Sequence, residues 1–154
     1  MKNVFLLLLV AMIAFTACKR KNIRGDLKNR REILQSSDWK LVSIKANGGK
    51  TSLPECQQDN YYKFEPGGNG KYMEGTINCL DSTNTGNAPD FTPFLWNVTG
   101  DLRYIYFLEY GGDPENRFEW DIKNMTFEEL TVTQQLYENN KDIILEMTFA
   151  AIPK

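Results

Sequence analysis

The chain contains no histidine and three cysteines among its 154 residues. It therefore lacks the usual base for a serine or cysteine nucleophile and the commonest zinc ligand. Five acidic residues flank one predicted hairpin, and paired carboxylates held a fixed distance apart can hydrolyse glycosidic bonds. Acids in a turn-rich segment are usually solvated, so we expect no catalytic residue and no enzymatic activity. We also expect no cofactor and no metal. The five are Glu109, Asp113, Glu115, Glu119 and Asp121.

Cys18 follows a hydrophobic N-terminus. One lysine precedes a mostly apolar run over residues 4–17, which is the pattern of a secretory signal peptide. The run is shorter than the roughly 20 apolar residues of a membrane-spanning helix. Phe15-Thr16-Ala17-Cys18 resembles a bacterial lipobox, in which the cysteine is lipidated and becomes the mature N-terminus. We predict a signal peptide over residues 1–17 and lipidation of Cys18. A plain secretory signal and a short transmembrane anchor are the alternatives.

The other two cysteines, Cys56 and Cys79, are separated by 22 residues. An even pair in an exported chain indicates a disulfide. The alternatives are a redox pair or a metal site, but neither cysteine belongs to a Cys-x-x-Cys motif and no histidine completes a ligand set. The sequence therefore favours a structural disulfide between Cys56 and Cys79.

The net charge of −2 hides two oppositely charged segments. Residues 19–32 carry seven basic and two acidic side chains, whereas residues 33–154 carry ten basic and eighteen acidic ones. The basic segment could lie on anionic lipid or act as an extended, solvated tether. Nucleic acid is not an expected partner, because the larger segment is acidic and the protein is predicted to be exported. We assign residues 18–36 to the lipidated cysteine, tether and short helix, and residues 37–154 to one folded domain.

The folded segment alternates between apolar and polar residues in short runs. A helix is predicted over residues 26–35, and strands over 37–46, 60–65, 71–78, 94–98, 102–110, 118–122, 130–136 and 143–149. Most of the connections are turn-sized, and no long helix intervenes. Because sequential strands tend to pair, we predict an all-β fold: an eight-stranded antiparallel up-and-down barrel preceded by a short helix. Such a barrel is either packed solid or holds one small ligand.

Several segments of this sequence resemble one family. A short helix leads into Ser37-Asp38-Trp39-Lys40-Leu41, and Cys56-Gln57-Gln58-Asp59-Asn60 precedes an aromatic strand, a Gly-rich turn and Cys79. Together with residues 122–130, this pattern is similar to the small lipocalin-like lipoproteins widespread in Bacteroidetes. The resemblance covers residues 33–152. It implies a lipocalin-like barrel with Trp39 at its closed end, a possible internal cavity and a rim of loops, and it assigns no binding residue.

Large aromatic residues are frequent in the predicted strands. They form either an ordinary barrel core or a cavity for an apolar ligand. If a cavity exists, alternation suggests that four residues line it: Trp96, Tyr104, Tyr106 and Trp120. We expect Trp39 to be a structural plug rather than a ligand contact.

One predicted loop contains Asp81-Ser82-Thr83, which resembles the triplet used for O-glycosylation in Bacteroidetes. Ser82 or Thr83 is therefore a candidate modification site. The same loop lacks the acidic residues of a calcium-binding loop at the third, fifth and twelfth positions.

These observations together predict a monomeric, lipid-anchored protein of the cell envelope, in the outer membrane and facing the periplasm. Its barrel would bind a small hydrophobic ligand. The alternative is a structural or interaction module with a solid barrel, whose loops contact another envelope protein. The two differ in one observable feature, because large aromatic side chains that fill the whole interior would leave no room for a ligand.

Overall fold

The computed structural model describes residues 23–75, 91–113 and 117–154, with side chains from residue 27 onward. The predicted signal peptide, Cys18, Cys79 and the Ser82-Thr83 pair lie outside the described residues. Within the described part of the chain, no helix is both long and apolar enough to span a bilayer.

In the described part of the chain, one α-helix precedes nine strands. Helix α1 is Ile23–Ser36, three residues longer at its start than predicted. The strands are β1 Ser37–Ala46, β2 Gly49–Thr51, β3 Tyr61–Phe64, β4 Asn69–Met73, β5 Phe91–Val98, β6 Tyr104–Glu109, β7 Phe118–Met125, β8 Glu129–Glu138 and β9 Lys141–Pro153. Two short 3-10 helices, Glu55–Gln57 and Pro66–Gly68, lie in the connections.

The strands form one antiparallel sheet that closes on itself. From β3 to β9 each strand pairs with its neighbour in sequence, and β1 pairs with both β3 and β9. This double pairing closes eight strands into a barrel. Strand β2 is an additional short strand that pairs only with the end of β1. The predicted eight-stranded up-and-down barrel preceded by a short helix is therefore confirmed.

In two tight hairpins the turn residues favour the backbone conformation that the flanking strands require. Asn47 and Gly48 connect β1 to β2, and Asn139 and Asn140 connect β8 to β9, all four with positive φ. Two-residue hairpins favour this left-handed conformation because it matches the twist of the flanking strands. Asparagine and glycine adopt it more readily than other residues do. These local sequences therefore set the register of both hairpins.

Helix α1 covers one end of the barrel and belongs to the same core. Leu34 is fully buried, and Ile33 is almost so. The Trp39 indole N–H donates a 2.9 Å hydrogen bond to the Leu34 carbonyl, which lies in the last turn of the helix. Carbonyls in a final helical turn have no partner within the helix. Trp39, itself fully buried, thus joins α1 to the barrel as a structural plug.

Two β-bulges change which residues face the barrel interior. In β1 the pairing with β9 shifts between Leu41 and Ser43, and in β7 the pairing with β8 shifts between Ile122 and Asn124. An extra residue reverses the alternation of side chains after it. Simple alternation predicts Ser43 on the face of Trp39, but Ile44 is the residue that packs against the core. That part of the prediction is wrong because of the bulge.

Aromatic side chains fill the barrel interior on the side of α1. Phe64, Phe94, Trp96, Phe107 and Trp120 pack mainly edge-to-face or tilted, with ring centroids 4.4–6.1 Å apart. Such pairs stabilise a core beyond the area that they bury.

Candidate functional site

A cavity of about 180 Å³ lies inside the end of the barrel opposite α1, and we call it the mouth cavity. Its lining comes from β1, β3, β4, β9 and the connection before β3. The lining residues are Leu41, Ile44, Gln57, Asn60, Tyr62, Tyr72, Met147 and Phe149. An apolar cavity of about 150 Å³ in another protein holds one benzene molecule. The mouth cavity therefore has room for one small molecule.

The polar end of the mouth cavity is built around Asn60. This residue is only 3% exposed, and its amide is held on both sides. The Gly75 backbone N–H donates to Asn60 Oδ1 at 2.7 Å, and Asn60 Nδ2 donates to the Tyr72 hydroxyl at 2.7 Å. Buried amides need such partners because an unpaired one loses its hydration without compensation. Asn60 thereby fixes the position of Tyr72 at the cavity wall.

The two tyrosines of the cavity pack against each other, with ring centroids 4.8 Å apart. Burial raises the pKa of Tyr62 far above its ordinary value, and the neighbouring Tyr72 adds to this effect. Burial also raises the pKa of Tyr72, against the hydrogen bond from Asn60, and the negative charge of Glu74 raises it further. Both hydroxyls therefore stay protonated and neutral at physiological pH.

The structure places the four predicted lining residues elsewhere. Trp96 and Trp120 point inward, but they belong to the packed aromatic core and do not line the mouth cavity. Tyr104 and Tyr106 point outward, because Ile105 and Phe107 are the buried residues of β6. The prediction chose the wrong face of β6, where both alternating sets are apolar and periodicity does not separate them. None of the four lines the mouth cavity, and a contact of any of them with a ligand stays a prediction.

Trp120 does not line the mouth cavity, but it packs against two of the residues that do. Its ring centroid lies 5.2 Å from that of Tyr62 and 5.1 Å from that of Phe149. Its indole N–H is buried and has no hydrogen-bond partner among the described residues, unlike that of Trp96, which donates to the Asn69 carbonyl at 2.6 Å. Because an indole responds to nearby changes in packing, Trp120 is a natural fluorescent reporter of cavity occupancy.

Two of the acidic residues of the β6–β7 region lie outside the barrel in ion pairs. Asp121 lies 2.7 Å from Lys123 and 3.7 Å from Arg103, and Glu119 lies 3.4 Å from Arg117. Glu115 lies outside the described residues. Over the ranges 23–75, 91–113 and 117–154, no cluster of three or more potential ligands could hold a metal ion.

Sequence reasoning missed most of the cavity residues for identifiable reasons. Tyr62 and Tyr72 stood among the many aromatics of the predicted strands, but nothing local separated them from core residues. Asn60 stood in the segment that resembles the lipocalin-like lipoproteins, and a polar residue next to an aromatic strand was the one available signal. Ile44 was assigned to the wrong face because of the bulge in β1.

Cys56 lies half-buried in the 3-10 helix Glu55–Gln57, directly before the cavity residue Gln57. Its predicted partner Cys79 is outside the described residues, so their pairing stays a prediction.

Comparisons with known proteins identify the family. A family model described as a lipocalin-like domain matches residues 37–132, which is more than half of the chain, and the chain belongs to this family. Among solved structures, a complex of bovine odorant-binding protein with a selenium-containing odorant is 12% identical, with a TM-score of 0.43. The match covers 79% of this chain and 73% of that one. No curated protein matches the chain.

Proposed function

We propose that this protein binds one small, mainly apolar molecule in the mouth cavity of its lipocalin-like barrel. The observation that carries the proposal is the cavity of about 180 Å³ inside the barrel. Native cores are close-packed, and their voids are few and small. Six of the eight lining side chains are aliphatic, aromatic or thioether groups, and Asn60 and Gln57 supply the polar end. This combination of apolar walls and a few polar groups is typical of ligand sites.

The size of the cavity limits the ligand. Drug-sized molecules occupy pockets of about 300–1,000 Å³. A volume of about 180 Å³ fits a single ring or a short branched chain, but not a fatty acid, a steroid or a haem. The ligand is therefore comparable to benzene in size.

Titration with cumene, a neutral aromatic hydrocarbon, tests the proposal. We expect cumene to change the fluorescence of Trp120 and to shift the methyl resonances of Ile44 and Met147 in a saturable manner. Ile44→Phe fills the cavity and is expected to abolish both changes. Ile144→Phe introduces the same ring at a side chain that is 52% exposed, and it should bind cumene as the wild type does.

Two safeguards keep the cumene experiment decisive. Circular dichroism and thermal unfolding establish that each variant is folded, and Met147→Phe provides a second way to fill the cavity from β9. Equal cumene binding by the wild type and by both filled variants would show that the ligand site is elsewhere. Failure of cumene to bind to the folded wild type would contradict the proposal.

The cellular setting is also part of the proposal: a lipoprotein of the Bacteroidetes type, anchored through Cys18 in the outer membrane and facing the periplasm. The support is the apolar run before Phe15-Thr16-Ala17-Cys18 and the basic residues that follow it. The described chain begins close to this point, and α1 packs on the barrel end opposite the mouth cavity. An anchor before α1 leaves the mouth cavity at the far end from the site of attachment.

A specific observation also favours the alternative, an interaction module that does not use the barrel interior. Strands β7 and β8 pair no further than Asp121 and Thr133, and a groove lies between their unpaired ends. Phe118, Tyr137 and Ile144 lie along this groove and are 42–70% exposed. If neither cumene nor a co-purifying small molecule occupies the mouth cavity, this groove is the surface at which to seek a protein partner.

A further inference from the structure

The hydrogen-bond direction at the polar end of the mouth cavity follows from one backbone donor. The Gly75 N–H can only donate, so the Asn60 atom that faces it is the carbonyl oxygen Oδ1. The amide nitrogen Nδ2 then faces Tyr72 and donates to its hydroxyl oxygen. Asn60 thus has no freedom to reverse its amide for a different ligand.

Tyr72 consequently presents a hydrogen-bond donor. A phenolic hydroxyl that accepts one hydrogen bond still carries its own hydrogen. Across residues 23–75, 91–113 and 117–154, the structure identifies no acceptor for this hydrogen. Since Tyr72 lines the mouth cavity, a ligand that offers an acceptor oxygen would complete its hydrogen bonding.

The negative charge near the mouth cavity disfavours anionic ligands, and the hydrogen of Tyr72 disfavours ligands without a lone pair. None of the eight lining residues is lysine or arginine. The charged side chain that acts on Tyr72 is the acid Glu74, so an anionic ligand would be desolvated beside a negative charge without a counter-ion. A protonated amine has no lone pair for the Tyr72 hydrogen. Only a neutral acceptor satisfies both conditions.

We propose that the mouth cavity selects neutral molecules of about benzene size that carry a hydrogen-bond acceptor, such as a ketone or ether oxygen, with Tyr72 as the donor. This inference rests on the proposed function, because it specifies the ligand of the same cavity. It predicts that carboxylates and ammonium ions of the same size bind poorly.

Four probes of matched size test the selection: acetophenone, cumene, benzoate and α-methylbenzylammonium. Dissociation constants come from Trp120 fluorescence and methyl shifts at neutral pH. We expect acetophenone to bind about fivefold to tenfold more tightly than cumene, as one neutral hydrogen bond provides. Benzoate and the ammonium ion should bind at least about tenfold more weakly than acetophenone.

Tyr72→Phe removes only the hydroxyl and is expected to bind acetophenone and cumene equally. Tyr104→Phe removes a hydroxyl on the outer face and should keep the wild-type preference. Cumene binding together with an unchanged preference in Tyr72→Phe, or with benzoate as tight as acetophenone, overturns this inference and leaves the proposed function intact. If cumene also fails to bind the folded wild type, the proposed function itself fails.

Discussion

At the residue scale, the two inward-facing tryptophans of the central strands differ in one contact. Trp96 and Trp120 are both nearly fully buried, but only Trp96 has a hydrogen-bond partner for its indole N–H. Their aromatic neighbours are similar in kind. The pair therefore isolates the contribution of one buried hydrogen bond.

We expect Trp96→Phe to destabilise the protein more than Trp120→Phe, by about 0.5–1.5 kcal/mol. Both changes remove similar volume, but Trp96→Phe also removes a hydrogen bond to the Asn69 carbonyl, which then keeps only the bond from the Glu65 N–H, whereas Trp120→Phe removes a donor that has no partner among the described residues. Urea unfolding of the two variants measures the difference. Equal losses of unfolding free energy would show that the hydrogen bond of Trp96 adds nothing to stability.

The raised pKa of Tyr62 leads to a prediction of how the free energy of unfolding changes in alkaline solution. Its pKa is raised in the folded state, so the stabilisation is fully present below the ordinary tyrosine pKa of about 10. As the pH rises above that value, the unfolded chain loses this proton and the folded chain keeps it, so unfolding becomes more favourable. The free energy of unfolding should fall by up to about 1.4 kcal/mol per pH unit from this group.

Urea unfolding between about pH 9 and 11 measures this slope. Tyr62→Phe should flatten it, whereas Tyr137→Phe, at a side chain that is 70% exposed, should leave it unchanged. The same slope in Tyr62→Phe and in the wild type would mean that another group is responsible.

At the element scale, short irregular pieces position the mouth cavity on a regular barrel. The bulge in β1 turns Ile44 inward, and the connection that contains the 3-10 helix Glu55–Gln57 brings Gln57 and Asn60 to the cavity. This connection is long and has little regular structure, so its conformational entropy opposes an ordered site. A covalent constraint at Cys56 would counter that entropy directly.

The predicted disulfide should stabilise this connection, and the free energy of unfolding measures the effect. In a Cys18→Ala background, the further change of Cys56 and Cys79 to serine should lower the free energy of unfolding by roughly 3 kcal/mol. A reducing agent should destabilise the parent by a similar amount and leave the double serine variant unaffected. Two free thiols in the unfolded, oxidised parent would contradict the pairing.

At the scale of the whole molecule, the barrel has a covered end and an end with a cavity. Helix α1 and Trp39 fill the end near the N-terminus, and the mouth cavity lies at the other. A chain attached to a membrane by its N-terminus would therefore present the mouth cavity away from the lipid surface. The basic residues that precede and form α1 would lie nearest to anionic headgroups.

Membrane attachment through Cys18 predicts that the chain partitions into a detergent phase. The full chain, expressed in a bacterium that processes lipoproteins, should incorporate labelled palmitate and enter the detergent phase. Cys18→Ala should lose both properties, because without the lipid only protein contacts could hold the chain at a membrane. Cys56→Ala should keep them. Palmitate in Cys18→Ala, or none in the full chain, would contradict the anchor.

The sequence by itself determined the class of fold. Strand alternation, turn residues such as Asn47-Gly48 and the missing long helices are local properties, and sequential pairing of short strands leads from them to an up-and-down barrel. The resemblance to lipocalin-like lipoproteins also implied that Trp39 lies at the closed end of the barrel. These predictions needed no knowledge of which residues meet across the barrel.

Only the tertiary structure decided where the cavity is and which groups line it. The faces of β6 are both apolar in sequence, so burial of Ile105 and Phe107 rather than Tyr104 and Tyr106 depends on pairing with β5 and β7. The bulge after Leu41 has no local signature. The Tyr72 hydroxyl accepts from Asn60, which another connection carries to the cavity, and among the described residues its own hydrogen has no acceptor. Ligand selection is a property of such long-range contacts, which local periodicity does not encode.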